Sequence, residues 1–400
     1  MKILILSQKI PYPPKDGGAI AVLELARGLA KKHHLITMLS FNPQKHYISP
    51  EEIPKTIRAE INFIPVNVNT PIRALSALKN LLFSRQPYIA ERFINKKYKE
   101  NLNVLLINTK FDIVQIEGPY LAQYIPIIQK ISKARIVIRM HNIEHEIWQR
   151  QAGNCNNILK KFYLGNLAKR IKKLENKVLI TADAILPITQ RDYKIIQNIT
   201  PNIPCKVIPT GMNVFPKNNT KNKVQQDLFF IGSLEWFPNQ EGLEWFLNNC
   251  WPIIFNKRPA KLHIAGRNAP ASFIKFISKK GVEFHGEVDN AAKYMENYSI
   301  MIAPLLSGSG MRIKIVEAMA AGKCIITTGI GIEGIDAKHK KHLFIADSPE
   351  DFAYWCFTLL NNKELTEKTA EQASAYAREH FDNTKITGTL HHFYKELILR

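Results

Sequence analysis

Apolar positions along the chain fall into two alternating series. In the first, short apolar runs predict strands at 2–6, 35–40, 61–66, 112–116, 135–140 and 184–187. Between them, apolar residues at the helical period predict helices near 18–31, 72–83, 95–108, 120–130, 159–178 and 190–198. The pattern stops at Pro216-Lys-Asn-Asn-Thr-Lys-Asn-Lys223, a polar stretch that reads as a linker. It then restarts, with strands predicted at 228–231, 261–265, 282–284, 300–303, 324–328 and 343–345 and helices between them. Regular alternation of this kind predicts an α/β protein with parallel sheets covered on both faces. The expected architecture is two doubly wound, Rossmann-like domains facing across a cleft, with ligands beyond the C-terminal ends of the strands. The boundaries follow as 1–200 for the first domain, 201–226 for the linker and 227–380 for the second domain. A C-terminal helix at 381–400 is expected to pack back toward the first.

Composition narrows the class. With 46% apolar residues in 400, the chain has ample material for cores. No apolar run approaches the roughly 20 residues that span a bilayer, and the opening Met-Lys-Ile-Leu-Ile-Leu-Ser is too short for a signal segment, so a cytoplasmic location is expected. Cys155, Cys205, Cys250, Cys324 and Cys356 are odd in number and scattered, without a C-x-x-C pair, which argues against a disulfide framework or a thiolate zinc site. The formal charge of +21 favours polyanionic partners such as nucleotides or phosphorylated lipids. Nucleic acid is not expected, because no helix-turn-helix, RNP-like strand or zinc-finger spacing is visible. The segment 159–178 combines seven lysines and arginines with an apolar stripe of Leu159, Phe162, Leu167, Ile171, Leu174 and Val178. It reads as a core-packed helix with a solvated basic face, or as a helix resting on the anionic inner face of a membrane.

The richest chemistry lies in 303–334, APLLSGSGMRIKIVEAMAAGKCIITTGIGIEG. Gly308 and Gly310 allow a backbone to approach a ligand closely, and the helix expected after them buries Ile313, Val316, Met319 and Ala320. Lys314 and Glu317 fall on a different face and can point together at a ligand. A cation about 4 Å from a phosphate is worth about 4 kcal/mol at an effective dielectric near 20, against about 0.3–1 kcal/mol from a helix N-terminus. Arg312 and Lys314 are therefore the stronger diphosphate candidates. Glu317 can accept hydrogen bonds from a ribose diol, each worth about 1.5–3 kcal/mol. The bland alternative is an exposed Lys314–Glu317 pair at i, i+3, worth about 0.2–0.5 kcal/mol.

Three further motifs stand out. Gly17-Gly18 opens a helix after the first strand, where bare N–H groups favour an anion, or forms an ordinary glycine-rich turn. His141 follows the strand at 135–140, and His141-x-x-Glu144-His145 spells a zinc pattern. Zinc would need both histidines on one helix face, whereas His141 follows the strand directly, so the expected place of His141 is a loop with Glu144 and His145 in the next helix. Gly329-Ile-Gly-Ile-Glu-Gly334 matches a dinucleotide fingerprint, but no amphipathic helix follows to receive a pyrophosphate.

Taken in order, these pieces resemble the family 4 retaining glycosyltransferases of the GT-B fold over essentially the whole chain. The matching marks are Gly17-Gly18, His141-Asn142, Ile208-Pro-Thr-Gly211, Phe230-Ile-Gly-Ser-Leu-Glu-Trp-Phe-Pro-Asn239, His263-Ile-Ala-Gly266, Phe284-His-Gly-Glu-Val288 and Gly310-Met-Arg-Ile-Lys-Ile-Val-Glu-Ala-Met-Ala. The resemblance implies transfer of a sugar from a nucleotide diphosphate sugar to an acceptor hydroxyl, with retention of configuration and no cofactor or essential metal. It implies ribose binding by Glu317, diphosphate neutralisation by Arg312 and Lys314, and a base-holding loop from Gly286 to Val288. Gly17 and Gly18 match a turn that approaches the diphosphate, and His141 a histidine beside the donor sugar. Gly232, Gly266, Gly310 and Met311 lie within the matching motifs and join the donor-binding set. Two departures are visible: Ser309 stands where many members carry an acid, and Ser233 where many carry arginine, with no lysine before Lys257. Ser309 is kept in the donor-binding set. The implied setting is assembly of a bacterial cell-surface polysaccharide or lipopolysaccharide on a glycan or lipid-linked acceptor. The rival readings are a GT-B nucleotide-sugar epimerase and a non-enzymatic nucleotide-sugar or polyanion-binding protein.

Overall fold

The computed structural model describes residues 1–44, 47–69, 74–155, 157–213, 225–308 and 310–400. The polar stretch at 216–223, the first two residues of the helix expected at 72–83, and Ser309 lie outside the described residues. Two compact units emerge, one formed by Met1–Gly211 with Asn383–Arg400 and the other by Met212–Asp382.

In the first unit six strands, β1 (Lys2–Ser7), β2 (Leu35–Pro43), β3 (Ile61–Val68), β4 (Ile113–Glu117), β5 (Arg135–Met140) and β6 (Ala184–Pro187), pair in parallel in the order β3-β2-β1-β4-β5-β6. The apolar run of β1 is buried on both faces, and its two-residue period feeds two cores. Leu4 and Leu6 join Leu39, Val114, Ile116 and Ile138. Ile3 and Ile5 join Leu25 and Leu29 of the helix Gly17–Ala30 and Leu390 and Tyr394 of the helix Asn383–Leu399. The chain's last helix thus completes this unit, and Asn383 Nδ2 donates to Glu24 O at 2.8 Å.

The second unit repeats the plan. Its strands β7 (Gln225–Ile231), β8 (Leu262–Ala265), β9 (Val282–Gly286), β10 (Tyr298–Ala303), β11 (Cys324–Thr327) and β12 (Phe344–Ile345) pair in parallel in the order β12-β11-β10-β7-β8-β9. Phe230, Ile264, Ile302, Ile326 and Phe352 anchor its core. The helix Phe237–Trp245 runs through a π turn at Phe246–Cys250 into Trp251–Lys257, where Pro252 supplies no N–H to continue an α ladder.

Both sheets are doubly wound. Chain direction across the sheet reverses between β1 and β4 in the first unit and between β7 and β10 in the second. In an open α/β sheet, ligands usually bind beyond the C-terminal edge at such a reversal. Every predicted strand is present within a few residues of its expected limits. Three helical details differ. The segment 120–130 splits into a 3-10 turn, Pro119–Tyr124, and a helix Ile125–Ile131 with proline in its first turn. Short helices at Lys55–Glu60 and Tyr88–Glu91 were not foreseen; each begins after a proline and is too short for a periodic signal.

Candidate functional site

At the C-terminal edge of the second sheet, four loops gather the expected donor-binding residues. Gly232 follows β7, Gly266 follows β8, Gly286 ends β9, and the segment from Pro304 to Arg312 follows β10. Gly232 and Gly266 bring two backbones together: a Cβ on Gly266 would stand 2.2 Å from Gly232 O. Gly286, Gly308 and Gly310 hold φ of 69°, 111° and 76°, the left-handed region in which a side chain is strained. The Gly308 turn also leaves space for Arg312, since a Cβ there would meet Arg312 Nη2 at 2.9 Å. Val288 is half-buried in the loop beyond Gly286, and Met311 is buried beside Arg312.

The helix Ile313–Ala320 is amphipathic as its period requires, with Ile313, Val316, Met319 and Ala320 in the interior. Arg312 forms its N-cap position, buried, with the guanidinium 5.8 Å from the centre of the Trp236 ring. Lys314 does not pair with Glu317. Its Nζ donates to Asn239 Oδ1 at 2.8 Å and lies 4.5 Å from the Phe230 ring centre. Asn239, itself buried, is fixed by a bond from Nδ2 to Ser233 O at 2.8 Å, so the loop after β7 positions the lysine. Burial, and then the neighbouring charge of Arg312, push the Lys314 pKa down to about 7. Glu317 stands one turn further on, and among the described residues no hydrogen bond or ion pair reaches its carboxyl, whose pKa burial alone pushes up to about 7. The exposed i, i+3 pair is therefore not formed. In its place stand a buried arginine, a half-buried lysine and a half-buried, uncompensated carboxyl, an arrangement suited to an anion and a neighbouring hydroxyl donor.

A second group lies at the C-terminal edge of the first sheet. His141 sits directly after β5, and its Nε2 is 2.6 Å from Glu117 Oε2. Glu117 ends β4 and is buried; Arg139, opposite it in register, approaches the same oxygen at 3.8 Å. Gln115 Nε2 donates to the other carboxylate oxygen, and Tyr394 Oη donates to Gln115 Oε1. Burial would raise the Glu117 pKa, but Arg139 and His141 outweigh it and hold the carboxyl below its ordinary range. The Glu117 carboxylate therefore stays ionised and orients the imidazole. Gln8 Nε2, in the loop after β1, donates to Glu117 O at 3.3 Å, tying that loop to the histidine. Gly17 and Gly18 begin the next helix, whose N-cap Asp16 accepts from Ala19 N at 3.0 Å and pairs with Lys9 Nζ at 2.5 Å. The N-terminus thus already carries a carboxylate.

His141 and His145 face different carboxylates. His145 Nδ1 is 2.6 Å from Glu175 Oε2, and Glu175 also accepts from the backbone N–H groups of Glu144 and His145, capping their helix. Glu144 binds Tyr120 Oη at 2.9 Å, and burial pushes its pKa up to about 7. These contacts stabilise a helix end rather than gather ligands around a metal. Gly329–Gly334 forms turns with no helix after them, and Gly329 N donates to Asp347 Oδ1 at 2.8 Å.

Glu117 was not foreseen as part of the site. A signal was present: Gln115 and Glu117 interrupt an otherwise apolar strand two residues apart, which puts both on one face of a buried sheet. Asn239 lay within a recognised motif without a role, because its service to Lys314 joins residues 75 positions apart.

Residues 225–362 match the family described as Glycosyl transferases group 1. Across 97% of this chain and 98% of its own length, an uncharacterised 44.6 kDa protein in the cps region of Klebsiella pneumoniae is 24% identical. Among solved structures, Alr3699/HepE from Anabaena in complex with UDP matches 99% of this chain and all of its own at a TM-score of 0.68 and 15% identity. Sucrose-phosphate synthase from Thermosynechococcus elongatus matches both chains fully at 0.70 and 14%. No helix among the described residues is long and apolar enough to cross a membrane. The Glycosyl transferases group 1 match falls on the unit that carries Arg312, Lys314 and Glu317, and the whole chain has the GT-B fold, two doubly wound parallel sheets.

Proposed function

We propose that this enzyme moves a sugar from a nucleotide diphosphate sugar to an acceptor hydroxyl with retention of anomeric configuration, in the assembly of a cell-surface polysaccharide. The observation that carries the reading is the uncompensated Glu317 carboxyl one helical turn from Lys314 and close in sequence to Arg312. A ribose diol donates to Glu317, while the diphosphate neutralises the two cations. As the bond from the anomeric carbon to the β-phosphate oxygen stretches, negative charge grows on the diphosphate, and fixed cations in a partly buried site stabilise it most at that moment. The acceptor oxygen bonds to the anomeric carbon as the carbon–oxygen bond to the β-phosphate breaks, and its proton passes to the departing diphosphate oxygen. His141, held by Glu117, serves the donor sugar, and no metal is required because Arg312 and Lys314 perform the neutralisation.

Two comparisons support the donor class and the setting: HepE has been captured with UDP and with UDP-glucose, and the Klebsiella relative lies in a cps region. The test is incubation with a panel of nucleotide sugars and a glycan or lipid-linked acceptor, with and without chelator, followed by NMR of the product. A new glycoside with the donor's anomeric configuration, formed equally in chelator, is expected. An epimerised nucleotide sugar without glycoside would establish the rival activity.

A cytoplasmic enzyme resting on an anionic membrane is part of the same reading. Leu167, Ile171 and Val178 of the helix Ile158–Thr181 are buried, whereas Ile158, Leu159 and Phe162 stand exposed beside Lys160 and Lys161. The first turns of this helix thus combine apolar and basic groups as an interfacial anchor does. Co-sedimentation with anionic vesicles, lost in a Leu159→Ser, Phe162→Ser double variant, is expected; equal co-sedimentation of the variant would remove the membrane from the account.

A further inference from the structure

Three potential ligands converge on the second sheet, on the face opposite Leu262 and Ile264, which enter the core. His263 of β8 lies in register with Glu283 of β9, and His285 stands two residues along the same strand, hence on the same face. Ligand atoms of these three residues all lie within 4.8 Å of one another. His263 Nδ1 is 3.1 Å from His285 Nε2 and 3.3 Å from Glu283 Oε2. Four ligands about 2.0–2.1 Å from a tetrahedral zinc ion stand about 3.3–3.4 Å apart, close to these separations.

The buried His263 ring is also caught between two carboxylates. Its Nε2 is 3.4 Å from Asp227 Oδ2 on β7. A proton on Nε2 serves Asp227 and lets His285 Nε2–H donate to Nδ1, but leaves Glu283 Oε2 3.3 Å from that nitrogen with no proton between them. A proton on Nδ1 turns the Nε2 lone pair toward Asp227. A cation at Nδ1 resolves the conflict: Asp227 then accepts a hydrogen bond from Nε2–H and fixes the tautomer, as second-layer carboxylates do for metal-bound imidazoles. Tyr298 stacks on the His263 ring with centroids 4.3 Å apart and fixes its plane. Lys261 Nζ binds Glu283 Oε1 at 2.7 Å, leaving Oε2 turned toward the imidazoles.

We propose that His263, His285 and Glu283 bind one divalent cation of the zinc class, oriented by Asp227, with water as the fourth ligand. The ion clips the edge strand β9 to β8 immediately before Gly286 and is separate from the glycosyl transfer chemistry. Two histidines and a carboxylate favour zinc or cobalt over magnesium or calcium, which prefer oxygen ligands.

The test is titration of the chelator-treated full-length protein with Co²⁺, followed by absorbance and equilibrium dialysis, and then displacement by Zn²⁺. One Co²⁺ per chain with the intense visible bands of a four-coordinate site is expected, together with a raised thermal midpoint. His285→Ala and Glu283→Gln alter exposed positions, so the fold should persist by circular dichroism while Co²⁺ affinity falls at least tenfold, given that even outer-layer substitutions weaken metal sites by about 10–100-fold. His141→Ala should leave Co²⁺ binding unchanged. Absence of stoichiometric binding in the wild type, or equal affinity in wild type and both ligand variants, would overturn the proposal.

Discussion

At the residue scale, the site is marked by side chains whose charges the protein leaves without full compensation. Glu317 illustrates the trade. Its pKa is about 7 in the folded protein against an ordinary value of 4.5, so between those pH values the folded state holds more protons than the unfolded state. Stability contributed by this group is therefore complete below pH 4.5 and is lost as pH rises toward and through 7. Glu317→Gln, neutral at every pH, should raise the thermal midpoint of the ligand-free protein at pH 8, with the gain shrinking toward pH 5. The same variant should bind nucleotide more weakly by about tenfold or more, since a charge-assisted hydrogen bond is worth about 1.5–3 kcal/mol. A midpoint difference that does not vary with pH would place the carboxyl in water. Glu117 differs in kind: it is compensated by Arg139, Gln115 and His141, so it positions rather than waits. Glu117→Ala should lower stability by about 3–5 kcal/mol by leaving Arg139 buried without its acid. Glu117→Gln also removes the charge opposite Arg139 but fills the space of the glutamate, so it should lose less stability than the alanine variant and lose kcat with little change in nucleotide affinity, measured by turnover and titration on the same preparation.

At the scale of elements, the strands were legible because each is a short apolar run buried on both faces, a pattern with few competing explanations. The helix Ile313–Ala320 was legible to its face, from the spacing of Ile313, Val316, Met319 and Ala320. Contacts made sideways between elements were not. The Lys314–Asn239 bond, the Glu117–His141 pair and the His263–Glu283 juxtaposition depend on strand order and register, which apolar period does not encode. The Gly17-Gly18 turn shows the same limit, because its capping by Asp16 and the Lys9 pairing depend on loop geometry. Gly242 offers a test of packing at this scale. In the helix Phe237–Trp245 a Gly→Ala change would ordinarily gain about 0.8–1.0 kcal/mol from helix propensity. Here the new Cβ would stand 1.7 Å from Pro304 O, forcing apart the helix and the loop after β10. Overpacking of about 1–3 kcal/mol or more should win, so Gly242→Ala is expected to lower the denaturant midpoint. A raised midpoint would mean the helix can shift away from Pro304 without penalty.

At the scale of the whole molecule, one plan is used twice. Each unit is built on a six-stranded parallel sheet whose chain direction reverses at a single place, and each carries its candidate site residues at the C-terminal edge of that sheet. The candidate residues divide between the units: Arg312, Lys314 and Glu317 belong to the second, while His141, Glu117 and the Gly17-Gly18 turn belong to the first. The final helix closes the first unit's core, with Leu390 and Tyr394 among its buried residues. An excess of 21 positive charges adds a general attraction for phosphorylated ligands, but the distinction between attraction and a site rests on named side chains. Calorimetric titration of UDP, GDP, ADP and CDP into the wild type, Arg312→Ala and Glu317→Ala tests that distinction most directly. The account predicts one nucleoside diphosphate bound per wild-type chain, with affinity reduced about tenfold or more in each variant, a loss of at least about 1.4 kcal/mol. Equal affinity of the best-bound nucleotide for all three proteins would contradict it.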